Sequence, residues 1–368
     1  MKIWLVEPYY TGSHQAWADG YQAHSRHDVR LLTLPGRFWK WRMWGGAITL
    51  ARQAAALNEP PDLILASDML NLPVFLSLSD GLHDVPLALY FHENQLTYPL
   101  PPAEKRDLHY GMINVTSALR ADALLFNSAY HLDEFFDELP RLLKHFPDYT
   151  ELWAVDALRE KSRVLPLGLG LARLDAHRPA PITTGRPLLL WNHRWEYDKN
   201  PETFFRAVYA LVKEGYDFGL VLLGESFRNQ PDEFLEARQH LGERIVHFGY
   251  AEEFADYARL LWQADIVAST ALHEFFGAAV VQACYCGCFP ILPRRLSYPE
   301  LIPAEHHAAC LYDDFDGLLD RLRWAIGHVD QIRAFSLQPE MARLDWQQMA
   351  PRYDDLLEQI GPGRRFFT

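Results

Sequence analysis

The chain has 368 residues, 49% hydrophobic and 23% charged; this globular composition excludes a disordered chain and suits two domains of about 150–200 residues each. With 35 Lys and Arg against 48 Asp and Glu, the net charge of −13 excludes bulk attraction to nucleic acid or anionic lipid, though not a local basic patch. No stretch reaches the roughly 18 apolar residues of a membrane helix, and the N-terminal run meets Glu7 and Pro8 too soon for a signal peptide. A cytoplasmic chain without stable membrane association is therefore expected. Three of the four cysteines sit together in Cys284-Tyr285-Cys286-Gly287-Cys288, with Cys310 far along the chain. That spacing makes no disulfide framework and no convincing zinc site, so reduced, buried thiols and no metal are expected.

In chain order, the first apolar run is Lys2–Glu7, followed by Tyr10-Thr11-Gly12-Ser13-His14 and a helical pattern from about Gln15. Gly12 permits close backbone approach and the helix start attracts an anion. Gly12 and Ser13 are therefore candidates for the phosphate side of a ligand. A full G-x-G-x-x-G is absent, and a plain strand-to-helix turn is the other reading. Val29–Leu34 is the next strand. Arg37-Phe38-Trp39-Lys40-Trp41-Arg42-Met43-Trp44 then places three cations and four aromatics in eight residues with no acid. This interleaving suits phosphate contact and base stacking, which makes Arg37, Lys40 and Arg42 candidate acceptor contacts. The alternative is an amphipathic element whose aromatics pack and whose cations are solvated. Leu63–Ala66, Leu87–Phe91 and Ala123–Phe126 complete the strands of the first half. After Leu87–Phe91 come four consecutive polar side chains, His92, Glu93, Asn94 and Gln95. His92 is placed to relay a proton or bond a sugar hydroxyl, and Glu93, Asn94 and Gln95 to meet an acceptor.

The pattern pauses at Val164–Gly168 and in a Pro-rich piece, Arg178–Pro187, the best linker in the chain. The expected domains are 1–175, 186–345 and a terminal helix and tail, 346–368. Leu188–Trp191, Gly219–Leu223, Ile245–Phe248, Ile266–Ala268 and Phe289–Leu292 are the strands of a second sheet, with helices near Pro201–Glu214, Asp232–Leu241, Phe254–Gln263, Ala278–Tyr285 and Trp346–Ile360. Alternating strands and helices specify an α/β chain with two doubly wound, Rossmann-like parallel sheets. Such sheets bind ligands at the carboxyl ends of their strands, in a cleft between the two halves.

Two loops of the second half carry chemistry. In Trp191-Asn192-His193-Arg194-Trp195-Glu196-Tyr197-Asp198-Lys199-Asn200-Pro201, Asn200 is a helix cap with Pro201 at the first helical position. Arg194 and Lys199 then share one loop, where paired cations suit a diphosphate; a surface ion-pair loop with Glu196 and Asp198 is the alternative. In Ser269-Thr270-Ala271-Leu272-His273-Glu274-Phe275-Phe276-Gly277, the backbone of Phe275, Phe276 and Gly277 opens a helix and Glu274 is placed to hold sugar hydroxyls. Gln282 lies two turns further along that helix. Neither His92-Glu93 nor His273-Glu274 has the second His of a metalloprotease helix. Asp314-Phe315-Asp316 is read as a solvated loop, and Arg364-Arg365-Phe366-Phe367 as a weak echo of the basic aromatic segment.

Taken together, this order of motifs resembles the retaining GT-B glycosyltransferases over nearly the whole chain. The strings His92–Pro99, Trp191–Glu202, His273–Gly277 and Tyr285–Cys288 more specifically resemble the tRNA-queuosine mannosyltransferase family, as does Arg37–Trp44. The resemblance implies a GT-B fold whose last helix crosses back to the first domain, and transfer of mannose from GDP-mannose to queuosine in the tRNA-Asp anticodon with net retention. It implies Arg194 and Lys199 on the diphosphate, Glu274 and the Phe275–Gly277 backbone on the mannose, Gly12 and Ser13 near the phosphate, and His92 beside the reacting centre. The wider group's second motif Glu, which holds the ribose, is Gln282 in this chain. No cofactor or metal is implied; the partners are a nucleotide sugar and a queuosine-bearing tRNA. A same-fold transferase with a lipid or polysaccharide acceptor is the alternative, and a binding module without catalysis is a further one.

Overall fold

The computed structural model describes residues 1–57, 59–100, 104–180, 185–225 and 232–361. The Arg364–Phe367 echo lies outside them, as do residues 181–184 of the Pro-rich piece. Strands β1 (Lys2–Tyr10), β2 (Asp28–Pro35), β3 (Leu63–Ser67), β4 (Leu87–Phe91), β5 (Ala123–Phe126) and β6 (Ser162–Val164) form one six-stranded sheet in the order β2-β1-β3-β4-β5-β6. Strands β7 (Leu188–Asn192), β8 (Gly219–Leu223), β9 (Ile245–Gly249), β10 (Ile266–Ala268), β11 (Phe289–Pro293) and β12 (Leu311–Tyr312) form a second, β12-β11-β10-β7-β8-β9. Every pairing is parallel. The central strands β3, β4, β8 and β11 are buried at every residue, as strands covered on both faces must be.

The expected strands all form, and two more appear. β6 and β12 occupy sheet edges and have three and two residues, too short to show a period. β12 alters one reading: Asp314 follows it and caps the helix Phe315–Gly327, its Oδ1 accepting the Gly317 N–H at 2.8 Å. Asp314 and Asp316 are solvent-exposed, as expected, but they cap and open a helix where a loop was expected.

Strand order reverses beside β1 in the first sheet and beside β7 in the second. Ligands of doubly wound sheets bind at such switch points, at the strands' carboxyl ends. The loops after β1, β7 and β10 leave there, and these carry three of the motifs singled out from sequence.

The chain divides into two compact units, Met1–Gly170 with the chain from Trp346 onward, and Leu171–Asp345. The division falls at Gly170, ahead of the Pro-rich piece, because the short helix Ala172–Asp175 is bonded into the second unit. There the Leu174 carbonyl accepts from Trp262 Nε1 at 2.9 Å, and Asp175 accepts from the Tyr285 hydroxyl at 2.9 Å. The helix Trp346–Leu357 returns to the first unit and packs on Gly12–His24. Asp354 accepts from the Tyr21 hydroxyl (2.8 Å), the Ser25 hydroxyl (2.6 Å) and the Arg26 N–H (2.9 Å). Among the described residues no helix is long and apolar enough to cross a membrane.

The Trp346 indole is fully buried against two glycines. A Cβ at Gly20 would lie 1.9 Å from its Nε1, and one at Gly168 2.4 Å from its Cε3. Alanine is the better helix former by about 1 kcal/mol, yet Gly20→Ala is expected to destabilise the chain by about 1–3 kcal/mol through overpacking. Denaturant unfolding checks this; a midpoint at or above wild type would show that Trp346 is not seated there.

Candidate active site

In the second unit, β7 ends at Asn192 and its loop closes in a short 3₁₀ turn, Tyr197–Lys199. Asn200 takes a left-handed conformation (φ 53°) and its side chain accepts from the Thr203 N–H at 3.4 Å, with Pro201 opening the helix Pro201–Lys213. This cap turns Lys199 inward. Its Nζ donates to the His273 carbonyl at 2.8 Å and lies 3.4 Å from Glu274 Oε2 and 3.1 Å from Asp198 Oδ2. The loops after β7 and β10 are latched by backbone as well. The Leu272 N–H donates to the Asp198 carbonyl at 2.7 Å, and the Thr270 hydroxyl bonds the carbonyls of Lys199 and Asn200, each at 2.9 Å.

Burial works against charge on both Lys199 and Glu274, and their mutual attraction overcomes it. Lys199 is held above its ordinary value by Glu274 and Asp198, and Glu274 below its ordinary value chiefly by Lys199. Both are therefore ionised. Glu274 Oε1 also accepts the Gly277 N–H at 3.2 Å, across a glycine at φ 91° that a side chain would strain, at the start of the helix Ala278–Tyr285. Arg194 takes a different place from its expected partner Lys199. It is half exposed, 3.3 Å from Glu196 Oε2. Gln282 is engaged too: its Oε1 accepts from the Tyr257 hydroxyl at 2.7 Å, which accepts from Asn192 Nδ2 at 3.0 Å. His193 and His273, which lie in the two sequence motifs with no role expected of them there, flank this cluster. Burial, with Lys199 adding to it, pushes each imidazole down to about 4, so both are neutral.

In the first unit, Gly12 has φ 52° with open space where a Cβ would lie, so the turn, not crowding, demands glycine. Thr11 makes no side-chain cap for the helix Gly12–His24, and Gly12 and Ser13 are exposed at its start. Next to them lies a buried cluster of which the sequence motifs contain His14 and His92 but not Glu7 or Asp68 as site residues. Glu7, on β1, meets His14 Nδ1 at 2.9 Å, and the His14 ring lies over His92 with centroids 4.2 Å apart. The His92 N–H donates to Asp68 Oδ1 at 2.9 Å, and its ring meets Trp17 edge-on at 4.6 Å. His92 Nε2 is buried and makes no hydrogen bond among the described residues. Burial disfavours charge on both imidazoles. For His14 it is outweighed by Glu7, Asp68 and Glu93, which push it up to about 9; for His92 it is reinforced by His14 and His131, which hold it well below the ordinary range. Glu7, His14 and His92 bring potential ligand atoms within 4.8 Å of one another, the one such group among the described residues. The cysteines are free and buried, and burial raises their thiols, Cys310 to about 12.

Two expected acceptor contacts have structural jobs instead. Asn94 is fully buried and spends its Oδ1 on the Leu96 and Thr97 N–H groups, both at 3.0 Å, in a turn of its own. Gln95 is buried, its N–H bonded to Asn114 Oδ1 at 2.7 Å and its side chain to Glu93 at 3.0 Å. Glu93 is half-buried, while Arg37 and Lys40 are exposed and Arg42 donates to the Pro35 carbonyl at 3.0 Å.

Residues 2–169 match the family tRNA-queuosine alpha-mannosyltransferase N-terminal, and residues 173–327 match Glycosyl transferases group 1. The chain is 34% identical over 328 residues to the tRNA-queuosine alpha-mannosyltransferase of Drosophila melanogaster, covering 87% of this chain and 85% of that protein. The chain belongs to the tRNA-queuosine α-mannosyltransferase family. Its fold is that of sucrose-phosphate synthase from Thermosynechococcus elongatus (TM-score 0.72, 16% identity, 98% of each chain) and of Anabaena HepE solved with UDP and glucose (TM-score 0.68, 16% identity, 98% of this chain and 100% of that one). The family and these neighbours make it a glycosyltransferase of the GT-B fold.

The buried pair in the first unit has a pH signature. His14 returns to about 6.5 when unfolded, so its contribution is complete below that pH and is lost as pH rises through about 9. Between these limits the loss amounts to about 3 kcal/mol. His14→Asn is expected to remove this downward slope in unfolding free energy, measured by denaturant titration from pH 6.5 to 9. A variant with the wild-type slope would show that His14 is not held charged.

Proposed function

We propose that the chain transfers mannose from GDP-mannose to the cyclopentene-diol of queuosine in the tRNA-Asp anticodon, with retention at the anomeric carbon. The observation that carries this reading is the ionised Lys199–Glu274 pair at the switch point of the second sheet, in a chain so similar to a named tRNA-queuosine alpha-mannosyltransferase.

Glu274 and the backbone of Phe275, Phe276 and Gly277 take the mannose hydroxyls. Lys199 has its charge balanced by Glu274 and Asp198, so its first task is to hold Glu274 in place. Arg194, half exposed on the same loop, meets the diphosphate. As the bond to the anomeric carbon breaks, negative charge grows on the β-phosphate, where Arg194, Lys199 and a helix N-terminus stabilise it. The leaving phosphate takes the proton of the attacking queuosine hydroxyl on the same face, which gives retention without a covalent enzyme intermediate. Gly12 and Ser13 stand on the phosphate side. Neutral His92 offers an imidazole nitrogen to a mannose hydroxyl. Gln282, its oxygen occupied by Tyr257, has its amide N–H groups to give to the ribose. Side chains carry the donor's charge in this scheme, with no metal or other cofactor. Glu93, Arg37, Lys40 and Arg42 serve the acceptor.

Incubation with GDP-mannose and queuosine-containing tRNA-Asp is expected to add one hexose to queuosine, read by mass analysis of the nucleosides; no added hexose would refute the reading. Two variants separate the cations. Arg194→Ala is expected to lower turnover about 100-fold or more while leaving the thermal midpoint near wild type. Lys199→Ala is expected to lose turnover and also about 3–5 kcal/mol of stability, because it strands the buried Asp198 and the partly buried Glu274. Equal stability of the two variants would count against the division of labour.

A further inference from the structure

Between Asp28 and Glu59 the sequence has five cations, Arg30, Arg37, Lys40, Arg42 and Arg52, and no acid, in a chain of net charge −13. Most of this segment is the helix Trp39–Ala55. Its inner face buries Met43, Ala47, Leu50, Ala51 and Ala54. Its outer face does the opposite of what an amphipathic helix does: Trp41 is 60%, Trp44 53% and Ile48 58% exposed. Phe38, just before the helix, is 79% exposed and sits at φ 54°. A left-handed backbone costs a bulky residue about 1–3 kcal/mol, and a ring this exposed regains little of it by packing.

Trp41 is also preorganised. A Cβ on Gly45 would come within 2.7 Å of its indole Cζ2, so the ring lies down over the helix backbone with its outer face open. Lys40 Nζ sits 5.5 Å from the Trp39 ring, and the His109 ring lies 6.1 Å from Trp44. Arg37, Lys40 and Arg52 form no ion pair among the described residues. A symmetric pairing of this face with the same face of a second copy would bring like charge against like charge. An RNA strand brings phosphates for the cations and unpaired bases for the rings.

We propose that Phe38, Trp41 and Trp44 are a stacking platform for unpaired bases of the tRNA substrate's anticodon loop. Arg37, Lys40 and Arg52 hold its phosphates, and Gly45 is the positioning residue that lets Trp41 lie flat. The choice of occupant rests on the acceptor reading above.

The test is binding of the full chain to a tRNA-Asp anticodon stem-loop RNA, against a fully paired RNA of the same length, by tryptophan fluorescence. The stem-loop is expected to bind at least tenfold tighter than the duplex and to weaken from 50 to 200 mM salt. Trp41→Ala and Trp44→Ala are each expected to weaken the stem-loop about tenfold and the duplex hardly at all. Gly45→Ala is expected to weaken the stem-loop several-fold with a thermal midpoint at or above wild type, a result that damage to the fold cannot produce. Wild-type stem-loop affinity in all three variants overturns the platform, as does co-sedimentation with phosphatidylserine vesicles without RNA binding. Binding through Trp41 without hexose addition would sink the functional reading and leave the platform. Hexose addition at an unchanged KM for tRNA in Trp41→Ala would do the reverse.

Discussion

The Lys199–Glu274 pair is the constraint around which the second unit is arranged. A buried lysine costs several kcal/mol unless matched by charge and hydrogen bonds, so the fold must deliver a carboxylate and a carbonyl to it. Strand order does this. β7 and β10 are adjacent in the sheet, and their loops leave the same edge at its switch point. The left-handed Asn200 turns one loop inward, and the positive-φ Gly277 turns the other. Thr270 ties the loops at their backbones, so neither can move without unmaking several bonds. A glutamate that must meet sugar hydroxyls in one orientation needs this rigidity.

The same logic explains how charge is distributed over the imidazoles. Beside Lys199, His193 and His273 are neutral because a second cation in a buried place would be unfavourable. In the first unit the carboxylates come in excess: Glu7, Asp68 and Glu93 all act on His14, which takes the proton, and its charge then helps keep His92 neutral. Two neighbouring imidazoles, tilted 39° to one another, thus hold opposite protonation states through their surroundings, and the uncharged one keeps a buried nitrogen that makes no hydrogen bond among the described residues.

Much of this was legible in the sequence, for identifiable reasons. Buried parallel strands announce themselves as apolar runs, and the cap Asn200-Pro201 and the helix start at Gly277-Ala278 follow from local backbone chemistry. What escaped depends on distance in the chain. Glu7 and His14 are seven residues apart, but their burial against Asp68 and His92 requires β1, β3 and β4 to be side by side. The edge strands β6 and β12 are too short to show a period. The polar run His92–Gln95 looked uniform, yet Asn94 folds back on its own turn while His92 does not. A residue type with several uses cannot declare which one its loop has chosen.

The basic aromatic helix resolves an apparent conflict between an acidic chain and a polyanionic substrate. Long-range attraction scales with net charge, which here is unfavourable, but screening confines charge effects to about 8–10 Å at physiological salt. Within that range the charges of the helix's own sequence are wholly cationic, although Asp107, bonded to the His109 that lies beside Trp44, also acts on Lys40. Binding built this way gains less from long-range steering and more from contact. Rings held open in advance then have a clear advantage over flexible ones, because stacking is short-ranged and loses its benefit if the ring must first be ordered. Gly45 beneath Trp41 meets that requirement at the level of a single missing methyl group.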